Sequence, residues 1–286
     1  MSIGNKEVFS KNLKKCVAKS GKDRRQISED LGFPYSTFTD WVNGKKYPRI
    51  DRIEKLAEYF NISKSDLIED FEDIKKDEAI RAYIKAADDS LLSLGYTEHS
   101  FAHVTKVGVT AKNILLKLGY SEREAELAAI AGFMHDIGNV INRKDHAQSG
   151  AVMAFRILDN MNCNPEDTAT IITAIGNHDE STAFPVNPVA AALIIADKCD
   201  VRSSRVRDKA TIALDIHDRV NYGVTKSDVN VDAEAKIITL KLEIDTNICS
   251  VMEYFEIFIE RMLLCKRAAE KLGTKFQLVI NNQQIL

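Results

Sequence analysis

No stretch of this chain is apolar for the roughly 20 consecutive positions that a membrane-spanning helix requires. The first fifteen residues are polar and charged and lack the apolar centre of a signal peptide. Proline is sparse, at five in 286 residues, so little interrupts long helices. The five cysteines (Cys16, Cys163, Cys199, Cys249 and Cys265) are odd in number, widely spaced and include no CxxC pair. That usage points away from a disulfide framework or a thiolate zinc site and toward buried free thiols in a reducing compartment. No internal repeat and no low-complexity tract occurs. These absences predict a cytoplasmic protein of one or two domains with no membrane contact.

What is present is an ordinary globular composition, 45% hydrophobic and 28% charged, with a net charge of −3. The charge is unevenly spread. Residues 1–70 carry 14 Lys/Arg against 11 Asp/Glu, whereas the rest carries 25 against 31. A mildly basic head on an acidic body fits a nucleic-acid contact confined to the head.

Periodicity predicts a mainly α fold: an N-terminal helical bundle, then an all-helical body with a small β element near the C-terminus. In the head, Val8, Leu13 and Val17 mark a helix ending at Ser20-Gly21. A second helix runs from about Arg25 to Leu31-Gly32, a third follows Pro34 and ends at Asn43-Gly44, and Ile53, Leu56, Ala57 and Phe60 mark a fourth. Asp66–Asp70 reads as a short acidic element and Glu69–Glu78 as a charged linker. The expected division is a head over 1–70, a linker and lead-in helix over 71–94, and a body over 95–286. In the body Val104, Val107, Ala111, Ile114 and Leu118 share one face, and Ala151, Phe155 and Leu158 another. Ile171–Ile175 and Val189–Ile195 are apolar enough for central helices. Val229–Val231 and Ile237–Ile244 suit paired strands, Ile248–Lys271 a long helix, and Phe276–Ile280 a third strand.

The segment from Gln26 to Trp41, with Gly32 in its turn, then Trp41-Val-Asn-Gly44 and Lys45-Lys46, resembles the helix-turn-helix of the Cro and lambda-repressor-like group over roughly residues 5–68. The resemblance implies that the second helix of the motif enters the major groove of double-stranded DNA. Ser36, Thr37, Thr39 and Asp40 would then meet bases or phosphates, and Asn43, Lys45 and Lys46 the backbone. Ile27 and Phe38 should pack inward. A specific site would require two copies, hence a homodimer.

The body carries six histidines, and four of them form a series with two aspartates. His135-Asp136 lies 32 positions after His103, His146 lies 10 after Asp136, His178 lies 32 after His146, and Asp197 lies 19 after His178. Each sits near the end of an apolar helix, so the groups can converge on one cavity, as metal sites in helical bundles do. Imidazole with carboxylate suits one or two divalent ions such as Mn, Fe, Co, Ni or Mg. A carboxylate such as Asp136 can bridge two cations, which together acidify water and neutralise phosphoryl oxygens.

With Gly138 and Ile195-Ala-Asp-Lys-Cys-Asp200 added, the chain resembles the HD-domain superfamily of metal-dependent phosphohydrolases over roughly residues 95–270. The resemblance implies metal ligation by His103, His135, Asp136 and Asp197, a second ion held by His146 and His178, and a catalytic role for His135 and Asp136. Many relatives have lysine where this chain has Asn139. The cyclic di-GMP-specific pattern is missing, which disfavours that substrate. Lys106, Lys198, Arg202 and Arg205 are candidate phosphate ligands. Asp179, Glu180 and Asp200 suit supporting or surface roles, and His99 and His217 suit hydrogen-bonded core positions. The function expected is hydrolysis of a nucleotide or other small phosphoester by a body fused to a DNA-binding head. The alternative is a regulator whose body binds a phosphorylated ligand without turnover; a binding protein with an idle metal is a third reading.

Overall fold

The computed structural model describes residues 6–62, 64, 67, 71–161, 163–207, 212 and 215–286. The chain divides into two compact units, Met1–Asp73 and Ile74–Leu286. As the sequence predicts, both are mainly helical, with a four-stranded sheet late in the second. Among the described residues no helix is long and apolar enough to cross a membrane.

The first unit contains helices α1 (Lys6–Ser20), α2 (Arg24–Asp30), α3 (Tyr35–Val42) and α4 (Ile50–Phe60). Asp23 starts α2 by accepting from the Arg25 and Gln26 amides while the Gln26 side chain accepts from the Asp23 amide, a reciprocal cap. Gly32, at φ +67°, makes the turn into α3, a conformation that costs a side chain its Cβ clearance. Phe9, Leu13, Ile27, Phe38, Val42, Ile53 and Leu56 close the core, and Phe33 meets Trp41 edge-on at 5.1 Å. Phe60 and Val17, expected on the buried faces, are only partly buried. Most of the acidic element at 66–70, and the start of the expected linker, lie outside the described residues; Phe71–Lys76 (α5) is helical.

In the second unit α6 (Glu78–Ser93) leads into a bundle of α7 (Phe101–Lys117), α8 (Glu122–Met134), α9 (His146–Asn160), α10 (Pro165–Gly176) and α11 (Pro188–Lys198). α11 is the axis of the bundle: Ala190 through Ile195 are all fully buried. α7 and α8 approach so closely that a Cβ on Gly132 would lie 2.7 Å from Gly108 Cα. The inward stripe of α9 is Ala147, Gly150, Ala154, Ile157 and Leu158; Phe155 points outward, 48% exposed, because small residues set the close approach of α9 to its neighbours.

After α12 (Ile216–Gly223), strands β1 (Val224–Asp232) and β2 (Ile237–Ile244) pair antiparallel, β3 (Lys275–Ile280) pairs parallel to β2, and β4 (Gln283–Gln284) completes the order β1-β2-β3-β4. Ile238, Leu240, Leu242, Phe276, Leu278 and Ile280 form its buried face. The long helix α13 begins at Val251 rather than Ile248, because Ser250 and Glu253 form a capping box there. All five cysteines are free thiols, although Cys199 Sγ lies 3.9 Å from Cys265 Sγ.

Candidate metal centre

Five helix ends deliver the six side chains singled out by their spacing to one place. His103 stands in the first turn of α7 behind the Ser100 cap, and His135 is the C-cap of α8. The chain then tightens into a 3-10 turn, Ile137–Val140, with Asp136 at its start. Gly138 lets that turn rest on the start of α9, since a Cβ there would overlap the His146 carbonyl and come within 2.5 Å of Gly150 N. His146 opens α9, His178 follows the end of α10, and Asp197 lies in the last turn of α11.

Asp136 is shared between two pairs of imidazoles. Its Oδ2 lies 3.2 Å from His135 Nε2 and 3.7 Å from His103 Nε2, while its Oδ1 lies 3.5 Å from His146 Nε2 and 4.0 Å from His178 Nε2. Asp197 Oδ1 closes the first group, 3.4 Å from His103 Nε2 and 3.6 Å from His135 Nε2. Three overlapping triads result: His103–His135–Asp136, His135–His178–Asp197 and Asp136–His146–His178, each with its ligand atoms within 4.8 Å of one another.

Each imidazole is held through its other nitrogen. Nδ1–H donates to the carbonyls of Gly132 (from His135, 2.8 Å), Arg143 (from His146, 3.0 Å) and Ile175 (from His178, 2.6 Å). His103 differs: its Nδ1 faces a carboxylate, Asp200 Oδ2, at 2.8 Å. These anchors leave every Nε2 lone pair aimed at the shared centre. Buried as they are, His103 Nε2, His135 Nε2 and Asp136 Oδ2 have no hydrogen-bond partner among the described residues. Orphaned buried acceptors of this kind are costly unless something positive sits between them. The nitrogen and oxygen donor set fits a hard or borderline divalent cation.

Charge follows the same logic. Burial opposes ionisation of Asp136 and Asp197, but the neighbouring imidazoles, with Lys198 beside Asp197, hold both carboxyls well below the usual range. Burial also opposes a charge on His135, yet Asp136 and Asp197 outweigh it and raise this imidazole to about 10. Burial, then the charges of His135 and Lys198, push His178 down to about 3, and burial likewise lowers His146. Two carboxylates among four imidazoles therefore demand positive charge, and a proton on His135 meets part of that demand where a cation otherwise would.

The centre opens into a cleft of about 570 Å³ lined by Asp136, His146, His178 and Asp197 on one side and by Tyr96, Phe258 and His217 on others. Of the four cations expected to meet phosphate, Lys198 and Arg205 line this cleft and Lys106 and Arg202 do not. Lys106 Nζ lies 2.8 Å and Arg202 Nε 3.0 Å from Asp200 Oδ1. The expectation is corrected for these two because the buried Asp200 carboxylate draws them behind His103. Arg205 is buried and fixed by donating to the carbonyls of Glu98 and Asp200, while Lys198 pairs with Asp197 at 2.8 Å. His217, expected in the core, is exposed at the cleft wall with its Nδ1 3.3 Å from Asp215 Oδ1.

Asn139 lies behind the centre rather than in the cleft lining, and two cleft groups, Arg143 and Arg261, escaped the sequence reading. Asn139, which stands where many relatives have lysine, donates to Asp136 Oδ1 at 2.9 Å and so aims the shared carboxylate. Arg143 lines the cleft one turn further on, over the Tyr96 ring at 5.7 Å, with its Nη1 3.3 Å from Asn139 Oδ1. Its position three residues before His146 was the available signal. Arg261, contributed by the distant α13, sits over the Phe258 ring at 4.3 Å and pairs with Glu180 at 2.6 Å, outside hydrogen-bonding direction.

In the first unit, Ser36, Asn43, Lys45 and Lys46 are exposed and Thr37 partly so. The Thr39 hydroxyl oxygen is buried and unpartnered among the described residues, although the residue itself is partly exposed. Asp40, whose carboxylate would repel phosphate, instead pairs with Lys46 at 2.9 Å, and that contact lowers its pKa. Asn43 Oδ1 accepts from Arg24 Nη1 at 3.2 Å.

No curated protein matches the chain. Two family models do: the Cro/C1-type HTH DNA-binding domain over residues 12–73, and the HD domain over residues 100–202. The second interval contains all six converging side chains, Asp200 and Arg143. Residues 12–73 are thus a Cro/C1-type helix-turn-helix domain and residues 100–202 an HD domain, a domain type of the metal-dependent phosphohydrolase superfamily.

Proposed function

We propose that the chain hydrolyses a nucleotide or other small phosphoester in the cleft above Asp136, and that its head contacts double-stranded DNA. The observation that carries this reading is the sharing of Asp136, one oxygen toward His103 and His135 and the other toward His146 and His178. Such a carboxylate suits two divalent ions, with Asp197 completing the first position. Bound there, divalent ions acidify water and offset charge on phosphoryl oxygens.

The chain's own residues do the rest. Asn139 orients Asp136, and the backbone carbonyls and Asp200 keep the imidazoles in one tautomer. Arg143 and Lys198 place positive charge at the cleft wall, where a fork of guanidinium donors matches a phosphate. Residues 1–70 serve as the DNA module, 71–94 connect, and 95–286 carry the chemistry. Ser36 and Thr37 supply groove contacts and Lys45 a phosphate contact; two copies would be needed to read both halves of a two-fold site.

The test is phosphate or nucleoside release from a nucleotide panel with Mn²⁺, comparing the natural chain with Asp136→Ala. Activity lost in the variant supports the reading. The attached head favours a second reading, a regulator that binds a phosphorylated ligand without turnover. Metal-loaded protein that binds a nucleotide but releases nothing would establish that alternative and dismiss the first.

A further inference from the structure

Helix α13 buries one face and displays an apolar stripe on the other. Tyr254, Phe258, Met262 and Cys265 point into the bundle. On the opposite side, Met252 (68% exposed), Ile259 (43%) and Leu263 (48%) share a line with the partly buried Phe255. At 100° per residue these four fall within a single 80° sector, so the stripe runs along the helix rather than around it. Apolar side chains aligned this way on a surface mark an interaction site.

Charge along the same helix identifies the occupant. The exposed acidic residues Glu256 and Glu260 lie in its first half, and the exposed basic residues Lys266, Arg267 and Lys271 in its second, with Glu270 the one acidic exception there. Glu256 and Arg267 make no ion pair among the described residues. We propose that this stripe is the contact between two copies of the chain, with the two α13 helices antiparallel. Two-fold pairing places Ile259 against the partner's Leu263, and in that register Glu256 falls on the same flank as the partner's Arg267. A parallel two-fold pairing would instead level each residue with its own copy and leave the partner's Arg267 about three turns from Glu256. The antiparallel arrangement has the closed two-fold symmetry of most homodimers, and every contact in it occurs twice. The inference rests on the stripe and its charges and does not depend on the chemistry of the cleft.

Sedimentation of the full chain over a concentration series tests it, with circular dichroism to verify folding of each variant. The natural chain should dimerise, and Leu263→Glu should raise the dissociation constant by about tenfold or more, the range for a buried interface anchor. Glu256→Lys and Arg267→Glu should each weaken the dimer, and the double variant should regain it, because the reversed pair restores opposite charges across the interface. A chain that stays monomeric throughout overturns the proposal, whether its own head or another protein covers the stripe. So does a dimer indifferent to Leu263→Glu, or a double variant no tighter than its parents.

Discussion

His146 Nε2 faces His178 Nε2 at 3.3 Å, and in each ring the Nδ1–H is already committed to a backbone carbonyl. Two lone pairs therefore meet, and among the described residues only Arg143 Nη1, 3.4 Å from His146 Nε2, is placed to donate to one of them. Burial keeps both rings neutral, so the pair is unfavourable until a proton or cation lies between them. The expected consequence is stoichiometric. His178→Ala should lower bound metal toward one ion per chain, while Asp136→Ala should remove both, as read by elemental analysis after desalting. Equal metal content in natural chain and His178→Ala would contradict a second position.

Metal uptake should depend on pH through His135. Its folded-state pKa is raised to about 10, so below that value a cation must displace a proton from it. Apparent affinity should rise by about tenfold per pH unit between pH 7 and 9, with about one proton released per ion. Calorimetry in buffers of different ionisation enthalpy measures this, and an affinity flat across that range would refute it. The sign reverses for the metal-free fold. A raised pKa contributes stability that is complete below the ordinary value of 6.5 and disappears as pH climbs through about 10.

Asp200 touches the centre only through His103. Burial opposes its charge, but His103, Arg205 and Lys106 keep it ionised far below the normal carboxylate range. Asp200→Asn preserves shape while weakening the grip on Nδ1, and should cost about 10–100-fold in metal affinity. Lys106→Ala should cost less, since Arg202 and Arg205 remain beside the carboxylate. An unchanged metal titration in Asp200→Asn would assign this contact no influence on binding.

Gly138→Ala should destabilise the second unit. The added methyl has nowhere to go between the His146 carbonyl and Gly150 N, so the 3-10 turn must separate from α9. Overpacking of this kind typically costs about 1–3 kcal/mol. Thermal denaturation should show a lower midpoint for the second unit, and metal content should fall with it because Asp136 and His146 flank the clash.

DNA binding should respond oppositely to two neighbouring changes. Lys45→Ala removes an exposed cation and should lower affinity uniformly across sequences, reducing the salt slope by about one. Asp40→Asn frees Lys46 from its ion pair and removes a repulsive carboxylate, so non-specific affinity should rise. Salt titrations of duplex binding by the full chain distinguish these outcomes, and a weaker Asp40→Asn variant would mean that the carboxylate itself reads a base.

Much of this molecule was legible from local pattern. Gly32 and Pro34 bracket the turn between two helices because glycine admits a positive φ and proline fixes a negative one, properties of the residues themselves. The helices of the body follow from apolar spacing, and the six ligand-type side chains could be named because each falls at or near a helix end. Phe155 was misread, since its spacing fits either side of a short stripe and only packing against α10 makes small residues the inner face.

The sequence by itself determined the elements and the residue types on offer, because capping, turn conformation and helical periodicity act over a few residues. Tertiary structure alone decided which charges meet. Asp200 is 97 positions from His103, and Arg261 reaches the cleft from a helix that begins more than fifty residues after Asp197. Whether a cation lines the cleft, as Arg143 does, or pairs with a buried carboxylate, as Lys106 and Arg202 do, depends on distances of a few ångströms between segments remote in the chain. Coulombic interactions fall off with separation in space, and no spacing along the sequence encodes that separation.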